Sequence, residues 1–131
     1  MAIDGLTTIK SGFGPKDTMD RLAAEVASRG MQVFARIDHA AGAKSDGMPL
    51  RPTEVLIFGN AKGGTPLIQA AQTIGLDLPM KILVWQDEAG DTYLSYNEPV
   101  WLSRRHGITG ETEAVAGKLA SALAAVAAKA A

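Results

Sequence analysis

The residues with the clearest chemical potential lie in a glycine-rich segment, FGNAKGGTP, at residues 58–66. Lys62 supplies a cation, and Gly63, Gly64 and Thr65 supply backbone amides that no bulky side chain shields. Amides at a helix N-terminus attract anions, and a threonine–proline pair is typical of a helix start. The segment therefore predicts a site for phosphate, sulfate or a carboxylate. The alternative is a tight strand-to-helix turn with Lys62 in solvent.

A second polar group surrounds the start of a later predicted strand. Asp77 and Lys81 flank a Leu-Pro pair, and they can pair with each other or with Asn60 and Asn97 to hold the loop rigid. Structural use is favoured over catalysis here, although aromatic residues of the sheet can line a ligand pocket. The candidate ligand-binding residues are Asn60, Lys62, Gly63, Gly64, Thr65, Asp77, Lys81, Tyr96 and Asn97.

The candidate catalytic residues are His39, Asp38 and Lys62. Histidine is the usual general base near neutral pH, and a lysine can stabilise developing negative charge. If the strands that end at Asp38 and Phe58 are neighbours with matching ends, His39 and Lys62 face one cleft. The competing interpretation, which is favoured, is that Asp38 caps the turn that follows its strand.

The two histidines do not predict a metal site. His106 follows two arginines at a predicted helix end, where a cation is favourable for the helix dipole. His39 lies far from it in the sequence, and nothing in the sequence shows that the two histidines converge in space with Asp77 or Asp38. The chain has no cysteine, which excludes thiolate chemistry. No metal and no cofactor is therefore expected.

The composition of the 131 residues is ordinary for a globular chain, with 47% hydrophobic and 21% charged residues. A formal net charge of −1, without a long run of one sign, argues against a nucleic-acid partner. No stretch approaches the roughly 20 apolar residues of a membrane span, and no secretory signal is visible. We therefore expect a single domain over residues 1–131, located in the cytoplasm, with no nucleic-acid or membrane partner.

Hydrophobic periodicity and turn residues predict the elements that position these groups. The predicted strands are Leu6–Lys10, Gln32–Asp38, Glu54–Phe58, Met80–Gln86 and Thr92–Asn97. The predicted helices are Pro15–Arg29, a short one near Ala40–Lys44, Thr65–Gln72, Pro99–His106 and a last helix from Thr109 or Gly110 to Ala130. Apolar stripes on the first and last helices predict burial of Met19, Leu22, Val26, Leu119, Leu123 and Val126. In the second strand, Val33, Ala35 and Ile37 are expected on one face.

Several motifs resemble the DUF 302 family, a domain of unknown function. They are the 58–66 segment, the LDLPMK run at Leu76–Lys81, the Tyr96–Asn97 pair and the Arg36–Gly42 run. The resemblance implies an α+β fold, in which a curved, mainly antiparallel sheet has helices packed on one face. The implied β-α-β(4)-α arrangement is like that of the TATA-binding protein. The resemblance also implies a small, self-associating protein, but no particular reaction.

Together these observations predict a protein that binds a small anionic or amphipathic ligand in a cleft between the glycine-rich loop and the sheet. The expected partners are that ligand and a second copy of the chain in a homodimer. One alternative is a small hydrolase or isomerase that uses His39 and Lys62. The other is a structural or adaptor homo-oligomer.

Overall fold

The computed structural model describes residues 2–131, and in them five strands and five α-helices surround one core. The strands are β1 (Leu6–Ser11), β2 (Gln32–Asp38), β3 (Thr53–Gly59), β4 (Met80–Gln86) and β5 (Thr92–Asn97). The helices are α1 (Pro15–Ser28), α2 (His39–Ser45), α3 (Ala61–Ala70), α4 (Pro99–Arg105) and α5 (Glu113–Ala130). Short 3-10 turns occupy Gln72–Leu76 and Gly110–Thr112. Within residues 2–131, no helix is both long and apolar enough to cross a membrane.

The five strands form one open sheet in the order β1-β5-β4-β3-β2, and every neighbouring pair is antiparallel. This confirms the predicted α+β class with an antiparallel sheet. The register places the end of β3 beside the starts of β2 and β4, since Gly59 pairs with Gln32 and Phe58 pairs with Met80. At the other end of the sheet, Asp38 pairs with Glu54.

Helices α1 and α5 cover one face of the sheet, as predicted. Side chains alternate between faces along a strand, so the buried side chains of Ile82 and Val84 point at the helices while Leu83 points away. The core between the layers contains Met19, Leu22, Val26, Leu56, Phe58, Ile82, Val84, Leu94, Leu123 and Val126, all at most 2% exposed. A second apolar cluster, which includes Leu67, Ile74, Leu102, Ile108 and Leu119, lies beside it under α3 and α4.

A β-bulge in β2 changes the predicted face assignment of that strand. Val33 pairs with Phe58 while Ala35 pairs with the adjacent Ile57, so Phe34 is an extra residue. The prediction that Val33 shares a face with Ala35 and Ile37 is therefore wrong, because one inserted residue reverses the alternation on its far side.

Helix α3 starts earlier than its sequence suggests. The helix begins at Ala61, because the Asn60 side chain caps it by accepting a hydrogen bond from the Gly63 amide at 2.7 Å. The predicted start at Thr65 is wrong, and the following proline lies inside the helix. The glycines therefore form the first turns of a helix instead of a loop ahead of one.

Candidate functional site

The candidate ligand-binding residues lie at or next to one end of the sheet. Asn60 to Thr65 follow the end of β3, Asp77 and Lys81 lie at the start of β4, and Tyr96–Asn97 ends β5. The structure divides this set between the two faces of the sheet. Tyr96 belongs to the helix-side core and also borders a depression on the opposite face, which Lys81 and Asn97 line.

The structure does not bring His39 and Lys62 together. His39 follows the end of β2, whose neighbour β3 runs in the opposite direction and carries Lys62 just beyond its far end. Five residue steps along β3 separate Glu54 from Gly59, which corresponds to about 16 Å at about 3.3 Å per residue. The prediction of a shared cleft is wrong. Asp38 instead caps α2, and its carboxylate accepts from the Ala41 amide at 2.9 Å, as the favoured interpretation had it.

The amides of the glycine-rich segment already have acceptors inside the chain. Gly63 donates to the side chain of Asn60 at 2.7 Å, and Gly64 approaches the main-chain oxygen of Asn60 at 3.4 Å. A cavity of about 120 Å³ adjoins these glycines beneath α3 and α5, but the exposed Lys62 and Thr65 do not line it. The predicted anion cradle is therefore not formed by these residues together.

The face of the sheet that the helices leave uncovered carries a shallow cavity, here called the open-face trough. Its volume is about 700 Å³. Its walls and floor are Ala2, Ile3, Leu6, Thr8, Val55, Lys81, Leu83, Trp85, Ser95, Tyr96 and Asn97. Polar groups on its floor are paired with one another. The Trp85 indole donates to Ser95 Oγ at 2.9 Å, and the Ser95 and Thr8 hydroxyls lie 2.8 Å apart.

One wall of the trough depends on a glycine. Gly5 has a φ of 74°, and a Cβ atom built on it would lie 2.3 Å from the Trp101 ring. Only glycine fits a backbone that is both left-handed and this close to an indole. The Gly5 carbonyl also accepts from the Glu98 amide at 2.7 Å, so the segment before β1 is held against α4.

Lys81 is the charged group of the trough. Its Nζ donates to the main-chain carbonyls of Asp77 and Pro79, both at 3.1 Å, and it forms no ion pair with any carboxylate in residues 2–131. Burial lowers the pKa of Lys81, and the negative charge of Asp77 opposes this effect. An ammonium group has three donors. One donor of Lys81 therefore remains for a ligand.

Four side chains behind this lysine form what we call the Asp77 cluster: Thr73, Asp77, Arg105 and His106. Asp77 Oδ2 lies 2.5 Å from His106 Nε2, and Arg105 Nη1 contacts both carboxylate oxygens at 3.1 and 2.9 Å. The other ring nitrogen of His106, Nδ1, lies 2.8 Å from Thr73 Oγ1. The cluster joins the 3-10 turn before β4 to the end of α4, and it fixes the residue whose carbonyl holds Lys81.

The largest cavity, about 1050 Å³, lies at the opposite end of the sheet between α1, α2 and the 48–52 segment. Its central charges are satisfied by neighbours, since Arg36 pairs with Asp20 and Glu54, each at 3.0 Å. The contacts with Glu54 and Asp20 raise the pKa of Arg36, and hydrogen bonds from Lys16 and Arg36 lower the pKa of Asp20. Of the candidate catalytic residues, Asp38 lines this cavity. In the part of the chain that the structure describes, no group of three or more potential ligands could hold a metal ion.

These features define a class of small α+β proteins in which helices cover only one face of an antiparallel sheet. The chain belongs to the DUF302 family, described as a domain of unknown function, which matches residues 7–126. The fold closely matches the crystal structure of an uncharacterized conserved DUF302 protein from Bacillus stearothermophilus. The TM-score is 0.87 at 19% identity, over 98% of this chain and 100% of that one.

Curated relatives carry a different description. The chain is 49% identical over 104 residues to a protein named fluoride-specific ion channel FluC 1 from Brucella suis biovar 1 (strain 1330), and this covers 79% of the chain and 41% of that protein. FluC 2 of Brucella melitensis biotype 1 shows the same identity, with 38% of its length covered. The chain therefore spans about two fifths of the length of these relatives.

Proposed function

We propose that this protein binds a small amphipathic anion in the open-face trough, with the anionic group at Lys81 and Asn97 and the apolar part along Leu6, Leu83 and Trp85. The observation that carries the proposal is Lys81, a half-buried ammonium at the end of an apolar concavity with only main-chain carbonyls as partners. A volume of about 700 Å³ lies within the range of about 300–1,000 Å³ that is typical of small-ligand pockets.

The chemistry of the trough favours an anion with an apolar chain. Removing a lysine from water without a counter-charge is unfavourable, and a carboxylate or phosphate at Nζ would reverse that cost. Apart from Lys81, the residues of β3 and β4 that line the trough are apolar, which is unusual for the uncovered face of an antiparallel sheet. A ligand with an aliphatic part would remove this surface from water.

Tryptophan fluorescence tests the proposal, because Trp85 lies in the trough. The only other tryptophan is Trp101, so a Trp101→Phe background isolates the signal. Titration with decanoate should give a saturable change, and Lys81→Met should weaken affinity roughly tenfold or more, as expected for loss of a charged hydrogen bond of about 1.5–3 kcal/mol. Lys62→Met is the matched comparison and should leave affinity unchanged. Equal affinity in the Lys81 variant, or loss in the Lys62 variant, would overturn the assignment.

We also propose self-association through the edge strand β2. Three large apolar side chains on this strand are strongly exposed: Val33 at 39%, Phe34 at 47% and Ile37 at 43%. A free edge with apolar side chains is a site for pairing with another strand, and a twofold contact would pair two copies of β2. The trough involves β1, β5, β4 and β3, so the two surfaces are compatible.

The curated relatives support a second candidate function, a role beside a membrane channel. These relatives are named as fluoride-specific ion channels, yet well over half of each lies outside the matched stretch. We propose that the matched stretch modulates fluoride passage through the remainder of such a relative, and that this chain can act on a channel in the same way. Deleting the matched stretch from the Brucella suis protein should change fluoride efflux from proteoliposomes, and adding this chain should restore it. Identical efflux with and without the stretch would contradict this role.

A further inference from the structure

The Asp77 cluster contains a hydrogen-bonded row that ligand binding at Lys81 does not use. The row runs from Thr73 Oγ1 to His106 Nδ1 at 2.8 Å, and from His106 Nε2 to Asp77 Oδ2 at 2.5 Å. Arg105 Nη1 holds the same carboxylate through both oxygens. A hydroxyl, an imidazole and a carboxylate in this order are the parts of an activated nucleophile: the attacking group, its base and the group that orients the base.

The donor and acceptor roles in the row follow from elementary chemistry. An ionised carboxylate only accepts hydrogen bonds, so His106 Nε2 must donate to Asp77. In a neutral imidazole the other nitrogen is then an acceptor. With the ring neutral, the Thr73 hydroxyl donates to His106 Nδ1 at 2.8 Å. This is the arrangement in which the ring can take the hydroxyl proton when the oxygen attacks.

The exposure of the three side chains agrees with a buried base and orienting group beside an accessible nucleophile. The side chains of His106 and Asp77 are only 9% and 16% exposed, whereas Thr73 is exposed. The His106 backbone is also fixed, since its amide donates to the carbonyls of Leu102 and Ser103 at the end of α4, both at 3.2 Å. The cluster therefore combines a buried base of fixed orientation with a hydroxyl that a substrate can reach, and capping of a helix end needs neither feature.

We propose that Thr73 is a nucleophile for acyl transfer from small esters, with His106 as its base and Asp77 as the group that orients the base. Thr73 Oγ1 forms a bond to the ester carbonyl carbon while its proton moves to His106 Nδ1. The tetrahedral intermediate then releases the alcohol, which takes that proton from His106. Water attacks the resulting acyl-threonine ester with His106 as base, and releases the carboxylic acid and the free hydroxyl. Water is the only co-reactant.

This inference does not rest on ligand binding in the trough. The row uses the side chain of Asp77, whereas Lys81 is held by its main-chain carbonyl. The substrate also needs no deep cavity, since the reacting hydroxyl is exposed at the surface.

The experiment uses the full chain and p-nitrophenyl acetate, with release of p-nitrophenol and the intact mass both measured. Wild type should hydrolyse the ester above the rate of free imidazole and carry an acetyl group that peptide mapping places on Thr73. Thr73→Val keeps the branched shape but lacks the hydroxyl, so it should lose the adduct and at least about 100-fold in rate, the low end for general-base catalysis. Thr73→Ser should retain both.

His106→Gln and a surface control complete the test. The glutamine variant should keep Thr73 but acylate it at least about 100-fold more slowly, because the base is gone. Thr109→Val removes an exposed threonine hydroxyl outside the cluster and should behave as wild type. Circular dichroism of Thr73→Val checks that the fold persists. Hydrolysis by wild type no faster than by Thr73→Val, or an acetyl group mapped to another residue, would overturn the proposal.

Discussion

At the scale of single residues, the chemistry of this protein depends on which partner each polar side chain finds. Asp38 could be assigned from the sequence alone, because an aspartate directly before a helix is a typical cap. The partners of Asp77 could not, since Arg105 and His106 lie 28 and 29 residues away in the chain. No local pattern predicts such long-range pairing. The sequence offered only Lys81, Asn60 and Asn97 as partners of Asp77.

The effect of burial on Lys81 gives a prediction about pH. The pKa of Lys81 in the folded protein lies below its usual value. The unfolded chain therefore holds the Lys81 proton more tightly than the folded chain does, and it keeps that proton up to about pH 10.5. The free energy of unfolding contributed by this residue therefore rises with pH over that range. Wild type should gain stability relative to Lys81→Met in urea unfolding as the pH rises towards about 10.5. A gap that stays constant or moves the other way would show that the lysine is not desolvated.

At the scale of elements, the structure differs from the sequence-based predictions at the start of α3 and at the bulge in β2. The threonine–proline pair predicted a helix start at Thr65. The structure starts α3 four residues earlier, because the Asn60 side chain reaches the Gly63 amide. Bulges are equally hard to predict: nothing in Val33-Phe34-Ala35 marks the extra residue, since its position depends on the register with β3.

The Asn60 cap should be measurable. Asn60→Ala removes the acceptor of the Gly63 amide and should cost about 0.5–2 kcal/mol in the free energy of unfolding. Asn60→Asp retains an acceptor and should cost less. Thr65→Ala serves as the matched comparison, because the structure places that residue inside the helix. A larger loss at Thr65 than at Asn60 would mean that α3 starts where the sequence pattern suggested.

The stripe of α5 provides a second prediction at this scale. Leu119 is 9% exposed and packs in the cluster beneath α3 and α4. Leu119→Ala should cost roughly 2–5 kcal/mol, because it leaves a cavity in a packed interior. The neighbouring Lys118 is exposed, so Lys118→Ala should change stability by less than about 0.5 kcal/mol. Similar losses for the two variants in chemical unfolding would contradict the placement of the stripe.

At the scale of the whole molecule, the antiparallel α+β fold was predictable, but the position of the site was not. The strand pattern and the family motifs gave the elements and the covered face. The antiparallel pairing of β2 and β3 sends His39 and Lys62 to opposite ends of the sheet, and the strand pattern alone does not show which strands are neighbours. Residues 55–58 of β3 are apolar at every position, whereas helices cover only one face of the sheet.

Self-association is the prediction that belongs to this scale. Light scattering over a concentration series should show a dimer for wild type, and Phe34→Asp should give a monomer because a carboxylate in an apolar strand contact is left without a partner. Leu76→Asp introduces the same charge at a more exposed site, 78% against 47%, away from β2, and should remain dimeric. A wild-type monomer at the highest soluble concentration would contradict self-association. A dimer in the Phe34 variant would show that the contact between copies lies outside β2.

The most direct test of the central claim is a map of amide and indole NMR shifts during titration with decanoate. Binding in the open-face trough should move the Trp85 indole signal and the amides of Leu83 and Ser95, and Lys81→Met should suppress these shifts at equal ligand concentration. Shifts confined to Gly63 and Gly64, or to the cavity beside Arg36, would place the ligand elsewhere and contradict the account.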